Sequence, residues 1–147
     1  MRKNRVTFRQ FWELSEVYTA PLNLFIILLG SSAAVYLKLG ELNWTLVLFS
    51  FIMITFHIAT NIFNNWMDFR NAQDAYYKSE VNIIGRDQLQ IQSVKRLFWI
   101  WMVLSFVLGA YLVWVTSWWI ALIGVFGFYL GLFYSYGKYP INSLPIA

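Results

Sequence analysis

"WTLVLFSFIMITFHIATNIFNNWMDFRNAQD", from Trp44 to Asp74, passes without a break from an apolar run to the most polar run of the chain. The apolar part, Trp44–Phe63, has the length of about 20 residues that a helix needs to cross the hydrocarbon core of a bilayer. The polar part, Asn61–Asp74, gathers asparagines and two aspartates. Polar groups at the end of a membrane helix indicate a functional site at the membrane surface.

The rest of the chain has the composition of a membrane protein. Of its 147 residues, 59% are hydrophobic and 12% are charged, against about 25% charged residues in soluble domains. We predict an all-α, polytopic membrane helical bundle, because the apolar segments are too long and too uniformly apolar for barrel strands. Four transmembrane helices are expected, at Pro21–Gly40, Trp44–Phe63, Arg96–Val115 and Ser117–Tyr136. The absence of cysteine excludes disulfides and thiolate metal sites.

The basic residues predict the orientation of these spans. They lie before span one, in the loop 64–95, at the first residue of span three and after span four, namely Arg2, Lys3, Arg5, Arg9, Arg70, Lys78, Arg86, Lys95, Arg96 and Lys138. Only Lys38 lies near the opposite face. The positive-inside rule therefore places the N-terminus and the 64–95 loop of this multi-pass cell-membrane protein in the cytoplasm. No cleavable signal peptide is expected at the N-terminus. Because these charges flank apolar spans, the net charge of +4 indicates a lipid bilayer as partner and no nucleic acid.

Helical spacing puts several polar side chains on one side of span two. At 3.6 residues per turn, these are His57, Asn61, Asn64 or Asn65, and Asp68. Asp74 cannot share that face of a straight helix. Either the helix ends near Arg70–Gln73 and the chain turns Asp74 back, or the two aspartates have different functions.

Carboxylate and amide oxygens at such a place suit magnesium, which one or two carboxylates hold together with substrate phosphates. Lys78, Arg86 and the Lys95–Arg96 pair provide cations for phosphate oxygens. Two other interpretations remain open. The asparagines also suit hydrogen bonds between helices, and the charged residues also suit an ordinary solvated loop. A lone His57 is more typical of a hydrogen-bonded packing residue than of a ligand.

Several stretches along the chain resemble the UbiA superfamily of membrane prenyltransferases, and in particular its 1,4-dihydroxy-2-naphthoate branch of menaquinone synthesis. They are "TAPLNLFIILLGSSAA", "NIFNNWMDFRNAQD", "NIIGRDQL" and "GLFYSYGKYPINSLPIA". The resemblance implies a Mg²⁺-dependent enzyme that transfers a polyprenyl group from polyprenyl diphosphate to an aromatic quinone precursor.

The resemblance also implies roles for individual residues. Asp68 and Asp74 would be the catalytic, magnesium-binding pair. The residues expected to bind substrate and diphosphate are Asn61, Asn64, Asn65, Lys78 and Arg86. Asn65 stands where the family usually has aspartate, and its amide offers an oxygen but no negative charge.

Members of this superfamily have about nine helices and a second aspartate-rich motif, whereas no aspartate or glutamate follows Asp87 here. The resemblance thus implies that residues 1–147 are the N-terminal part of a single UbiA-like domain. It would need the missing C-terminal half or a partner subunit and would be inactive alone. The alternative is a non-catalytic four-helix membrane module, a degenerate remnant or an assembly partner. A transporter or channel subunit is less favoured, because the ionisable residues lie in a loop and not within the spans.

Overall fold

The computed structural model describes residues 5–136. Within this range the chain forms helices and connecting loops with no β-strand, which confirms the all-α prediction. In chain order the elements are α1 (Phe8–Leu14), a 3₁₀ turn (Val17–Thr19), α2 (Ala20–Tyr36), α3 (Trp44–Asn71), a π-helical turn (Tyr77–Val81), α4 (Ile83–Arg86), α5 (Ile91–Val115) and α6 (Trp118–Phe133).

Three helical segments are long and apolar enough to cross a membrane. They are Val17–Tyr36 with 20 residues, α3 with 28 and α5 with 25. The fourth apolar helix, α6, has 16 residues and is therefore about 24 Å long at 1.5 Å per residue, short of the ~30 Å hydrocarbon core. The structure thus has three span-length helices and one shorter helix where the sequence predicted four spans. Together they make this a multi-pass membrane protein.

Two helices extend beyond the predicted spans. The Asn64–Asn71 part of the predicted 64–95 loop continues α3, and Ile91–Lys95 forms the first turn of α5. The prediction was wrong at these ends because hydropathy marks only the lipid-facing part of a helix. The end of the bundle where α3 finishes and α5 begins is called the motif end below. Arg2, Lys3 and Lys138, which contributed to the orientation prediction, lie outside the described residues.

The apolar core lies at the motif end. Its α3 members include Ile58, Ala59 and Ile62, and they pack with Val94 and Phe98 of α5. Buried residues from α1 and from the α3–α5 connection complete the cluster, namely Leu14, Ile83, Ile84 and Leu89. By contrast, most large apolar side chains of α2 and α6 are exposed, as expected for helices that face lipid. The motif end of α3 is therefore packed between α1, the α3–α5 connection and α5.

Candidate functional site

The asparagine-rich motif lies on the last turns of α3, which end at Asn71. The N–H of Ala72 closes the helix by donating to the carbonyl of Asp68 at 2.9 Å. The helix thus continues past the predicted end of span two at Phe63 and ends within Arg70–Gln73, the place named in one of the two arrangements that the sequence left open. Asp68 and the asparagines share a rigid helix, whereas Asp74 lies beyond its end.

Two of the asparagines hold the end of α1 against α3. Asn61 Nδ2 donates to the carbonyl of Ser15, and Asn65 Nδ2 donates to the carbonyl of Leu14, each at 3.2 Å. Both carbonyls lie at the C-terminal end of α1, where a helix leaves its last carbonyls without internal partners. An amide at position 65 meets this need and an aspartate does not, because an ionised carboxylate can only accept hydrogen bonds.

His57 extends the same network by one turn. Its Nε2 lies 3.0 Å from Nδ2 of Asn61 and 2.9 Å from Oγ1 of Thr19. The amide nitrogen can only donate, so Nε2 is an acceptor in this contact and a neutral ring carries its proton on Nδ1. His57 is thus a hydrogen-bonded packing residue between α3 and the 3₁₀ turn, in agreement with the simpler interpretation of its sequence context.

Asp68 and Asn64 differ from these structural residues because their side-chain oxygens have no partner among the residues that the structure describes. They lie four positions apart and so share a face of α3. Oδ1 of Asn64 is fully buried and accepts no hydrogen bond within residues 5–136. The half-buried carboxylate of Asp68 has no hydrogen bond or ion pair in that range.

Asp74 is exposed and caps the next helical segment. Its Oδ1 accepts from the N–H of Tyr76 at 2.9 Å, and its carbonyl accepts from the N–H of Lys78 at 3.1 Å. The described residues contain no group of three or more histidine, aspartate or glutamate side chains placed to hold a metal ion. The joint metal role of Asp68 and Asp74 therefore stays a prediction.

Arg86 joins the α3–α5 connection to α1. Its guanidinium pairs with Glu13 and donates to Oδ1 of Asp87 at 3.0 Å. These two carboxylates raise the pKa of Arg86 above its ordinary value. Burial tends to raise the pKa of Asp87, but hydrogen bonds from Gln10 and Arg86 outweigh it, so that this pKa is lowered. Arg86, the residue predicted to contact phosphate, thus has two carboxylate partners, although 40% of its side chain is exposed.

Lys78 lies in the connection with its Nζ 5.0 Å from the ring centroid of Phe69. Its backbone carbonyl packs so closely against Gly85 that a Cβ there would lie 1.8 Å from the carbonyl oxygen. Asn82 fixes the same region, because its Oδ1 caps α4 and its Nδ2 donates to the carbonyl of Asn65 at 3.0 Å. The "NIIG" stretch therefore begins with a helix cap and ends with a glycine that close backbone approach requires.

A model of the UbiA prenyltransferase family matches residues 23–145. The chain belongs to the UbiA prenyltransferase family. It is also 32% identical over 136 residues to the 1,4-dihydroxy-2-naphthoate octaprenyltransferase of Bacillus subtilis (strain 168), an alignment that covers 91% of this chain and 43% of that protein. The chain thus spans less than half the length of this relative. No solved structure matches it.

Sequence reasoning missed two residues that contact the motif at Asn65, namely Glu16 and Asn82. Asn82 carried a usable signal, since an asparagine directly before a short apolar segment is typical of a helix N-cap. Glu16 carried none, because it lies before the first apolar span and 49 positions from Asn65, the residue its carboxylate approaches. Contacts of that separation are set by the packing of α1 on α3.

Proposed function

We propose that this chain is the N-terminal part, residues 1–147, of a magnesium-dependent polyprenyltransferase domain. The complete domain would transfer a polyprenyl group from polyprenyl diphosphate to a 1,4-dihydroxy-2-naphthoate-like acceptor in the synthesis of menaquinone or another quinone. The observation that carries the proposal is a pair of side-chain oxygen ligands, from Asp68 and Asn64, that have no partner within residues 5–136 and lie at the motif end of α3 in a UbiA-family chain.

These donors fit magnesium, which prefers oxygen ligands and completes its coordination with water and substrate phosphate. In this role Asp68 supplies negative charge and Asn64 a neutral oxygen, while Asp74 adds a carboxylate if the exposed connection moves towards α3. Bound magnesium supplies positive charge that stabilises the diphosphate as it leaves. Asn61 and Asn65 orient the site by holding α1 on α3.

The reaction breaks the bond between the allylic carbon and the diphosphate oxygen, forms a bond from that carbon to the aromatic ring, and releases a ring proton. Lys78 and Arg86 are proposed to contact the diphosphate, and Arg86 would exchange a carboxylate partner for a phosphate oxygen. The apolar surfaces of α2 and α6 offer the prenyl chain a lipid-like surrounding. The remainder of the domain, or a partner subunit, would close the site.

The site is proposed to face the cytoplasm from the cell membrane. Arg70, Lys95 and Arg96 lie at the motif end, whereas Lys38 follows the opposite end of α2. An excess of basic residues at one end of the spans is the usual mark of the cytoplasmic side.

The test is prenyl transfer by the intact protein in membranes, compared between the wild type and Asp68→Asn. The substitution keeps the shape of the side chain and removes its charge, so turnover should fall on the order of 100-fold while membrane abundance stays constant. Glu80→Gln is a matched control, because it also neutralises an acidic residue, one that is exposed on the nearby α3–α5 connection. Wild-type turnover of Asp68→Asn would remove the residue from the mechanism.

A second candidate is a non-catalytic membrane module. Two observations favour it, since Asn65 is engaged as a structural donor and Arg86 is neutralised by Glu13 and Asp87. Under this hypothesis Mg²⁺ with a non-hydrolysable prenyl diphosphate analogue leaves the unfolding temperature unchanged. A competent site raises that temperature, because a ligand that binds only the native state stabilises it.

A further inference from the structure

We propose that Glu16 supplies a second carboxylate to the magnesium-diphosphate site, in compensation for the uncharged amide at position 65. The inference rests on the function proposed above and adds to it a binding residue from the segment between α1 and α2. Glu16 lies outside residues 23–145, which the family model matches, so the family pattern does not assign it.

The backbone at Glu16 has a conformation that aims the chain back at α3. Its φ is 48° and its ψ is 38°, in the left-handed region that glutamate seldom adopts. Hydrogen bonds hold this turn in place, since the N–H of Thr19 donates to the carbonyl of Glu16 at 2.9 Å and Nδ2 of Asn61 donates to the carbonyl of Ser15. An uncommon backbone conformation held by its surroundings is typical of functional positions.

The side chain of Glu16 consequently lies against the polar face of α3. Its Oε1 is 3.4 Å from Nδ2 of Asn65, which lies three positions before Asp68 on the same helix. Neither carboxylate forms an ion pair within residues 5–136. Like charges near one helix face are less unfavourable when a cation lies between them, which is the role proposed here for magnesium.

The amide oxygen that supports the proposed function lies on the same helix as Asn65 and Asp68. Oδ1 of Asn64 is fully buried and without a partner in the described part of the chain, and buried oxygens of that kind are normally satisfied by water, an ion or a ligand. In the proposed site Asn64, Asp68 and Glu16 would supply one amide oxygen and two carboxylates. That set has the number of carboxylates with which proteins commonly bind magnesium beside phosphates.

The alternative is a purely structural Glu16 that only accepts a hydrogen bond from Asn65. The two roles respond differently to Glu16→Gln, which keeps the length of the side chain and its acceptor oxygen and removes the charge. A structural role predicts little change with or without metal. A metal-binding role predicts opposite effects, because the apoprotein loses a repulsion with Asp68 while the holoprotein loses a ligand.

The experiment measures the unfolding temperature of the intact protein in detergent by tryptophan fluorescence during a Mg²⁺ titration, with a non-hydrolysable prenyl diphosphate analogue present. For Glu16→Gln we expect an apoprotein midpoint equal to or above that of the wild type. The Mg²⁺ concentration that gives half of the stabilisation should rise about tenfold or more. Glu80→Gln, the same substitution at an exposed position of the α3–α5 connection, should titrate as the wild type does.

Two further variants separate the possible failures. If Asp68→Asn removes the Mg²⁺ response and Glu16→Gln leaves it intact, the inference about Glu16 is overturned and the proposed site stands. If Asp68→Asn also titrates as the wild type, the proposed function fails at this site. Should Glu16→Gln fold poorly, Glu16→Asp retains the charge and is expected to respond to Mg²⁺, and a variant that folds without responding overturns the inference.

Discussion

Replacing Asn65 by aspartate places a carboxylate where the resemblance to the prenyltransferases leads one to expect it, and the structure predicts that this change is harmful without metal. The amide nitrogen donates to the carbonyls of Leu14 and Asn61, each at 3.2 Å. An aspartate donates to neither. It also brings a second negative charge to the place where the Glu16 carboxylate lies 3.4 Å from the amide.

The magnitude follows from these contacts. Each lost hydrogen bond costs about 1 kcal/mol. Two unit charges at the observed 3.4 Å repel by about 5 kcal/mol at an effective dielectric constant of 20, and solvent access to half-buried groups reduces this to about 1–2 kcal/mol. Asn65→Asp should therefore lower the free energy of unfolding by about 3–4 kcal/mol, against about 2 kcal/mol for Asn65→Ala, which loses the hydrogen bonds alone.

The assay is the unfolding temperature of both variants with and without Mg²⁺ and the diphosphate analogue. Without metal the order should be wild type, then Asn65→Ala, then Asn65→Asp. With metal the aspartate variant should recover more than the alanine variant, because the added carboxylate becomes a ligand. Asn71→Asp, an exposed change at the end of the same helix, is the matched control. The reasoning is refuted if Asn65→Asp is as stable as the wild type without metal.

Three other predictions concern the connection and the orientation of the chain. Gly85→Ala should lower the free energy of unfolding by about 3 kcal/mol, because its Cβ would lie 1.8 Å from a backbone carbonyl; thermal unfolding measures this. The pKa of Asp87 is lower in the folded protein than its ordinary value of 3.8. Ionised Asp87 therefore contributes its full stabilisation above pH 3.8, and this stabilisation is lost as the pH falls through the lower pKa of the folded protein. Unfolding temperatures measured from pH 5 to pH 2 test this. In this cysteine-free chain, Asn71→Cys should react with an impermeant maleimide only after the cells are opened, whereas Gly40→Cys should react in intact cells.

Each of these has a control within the chain. Gly30 has open space around it, so Gly30→Ala should leave the unfolding temperature nearly unchanged, and equal losses at both glycines would contradict the steric argument. Asp87→Asn should reduce the fall of the unfolding temperature between pH 5 and pH 2. If this fall is the same as in the wild type, groups other than Asp87 cause it. The reverse labelling pattern would place the motif end outside the cytoplasm.

The helical bundle was largely predictable, because lipid solvation imposes a simple rule on sequence. The apolar runs correctly predicted α2, α3 and α5, since a span must be apolar over about 20 residues. The same rule misjudged the ends. It stopped α3 at Phe63, although the helix continues to Asn71, and it extended α6 to Tyr136, although the helix ends at Phe133. Beyond the hydrocarbon core the length of a helix depends on capping and packing.

The candidate site was predictable only in part. Helical spacing correctly placed the motif asparagines and Asp68 on the last turns of α3. It could not predict that Asn61 and Asn65 donate to α1, because those partners lie 46 and 51 positions away in the chain. The charge of Arg86 was evident, but which carboxylate it meets depends on how α1 docks. Asp74 was correctly separated from the helix, and its metal role stays a prediction.

The docking of α1 has a consequence for the order of events during biosynthesis. This seven-residue helix leaves the ribosome before its partners, since Asn65 lies 51 positions and Arg86 73 positions beyond the residues they bind. At a synthesis rate of about 5–20 residues per second, roughly 3–15 s pass before these partners are made, and the C-terminal carbonyls of α1 lack them during that time. The docking of α1 is therefore a late step that follows the folding of α3 and the α3–α5 connection. A bulky N-terminal fusion would obstruct this docking and leave the membrane insertion of the spans unaffected.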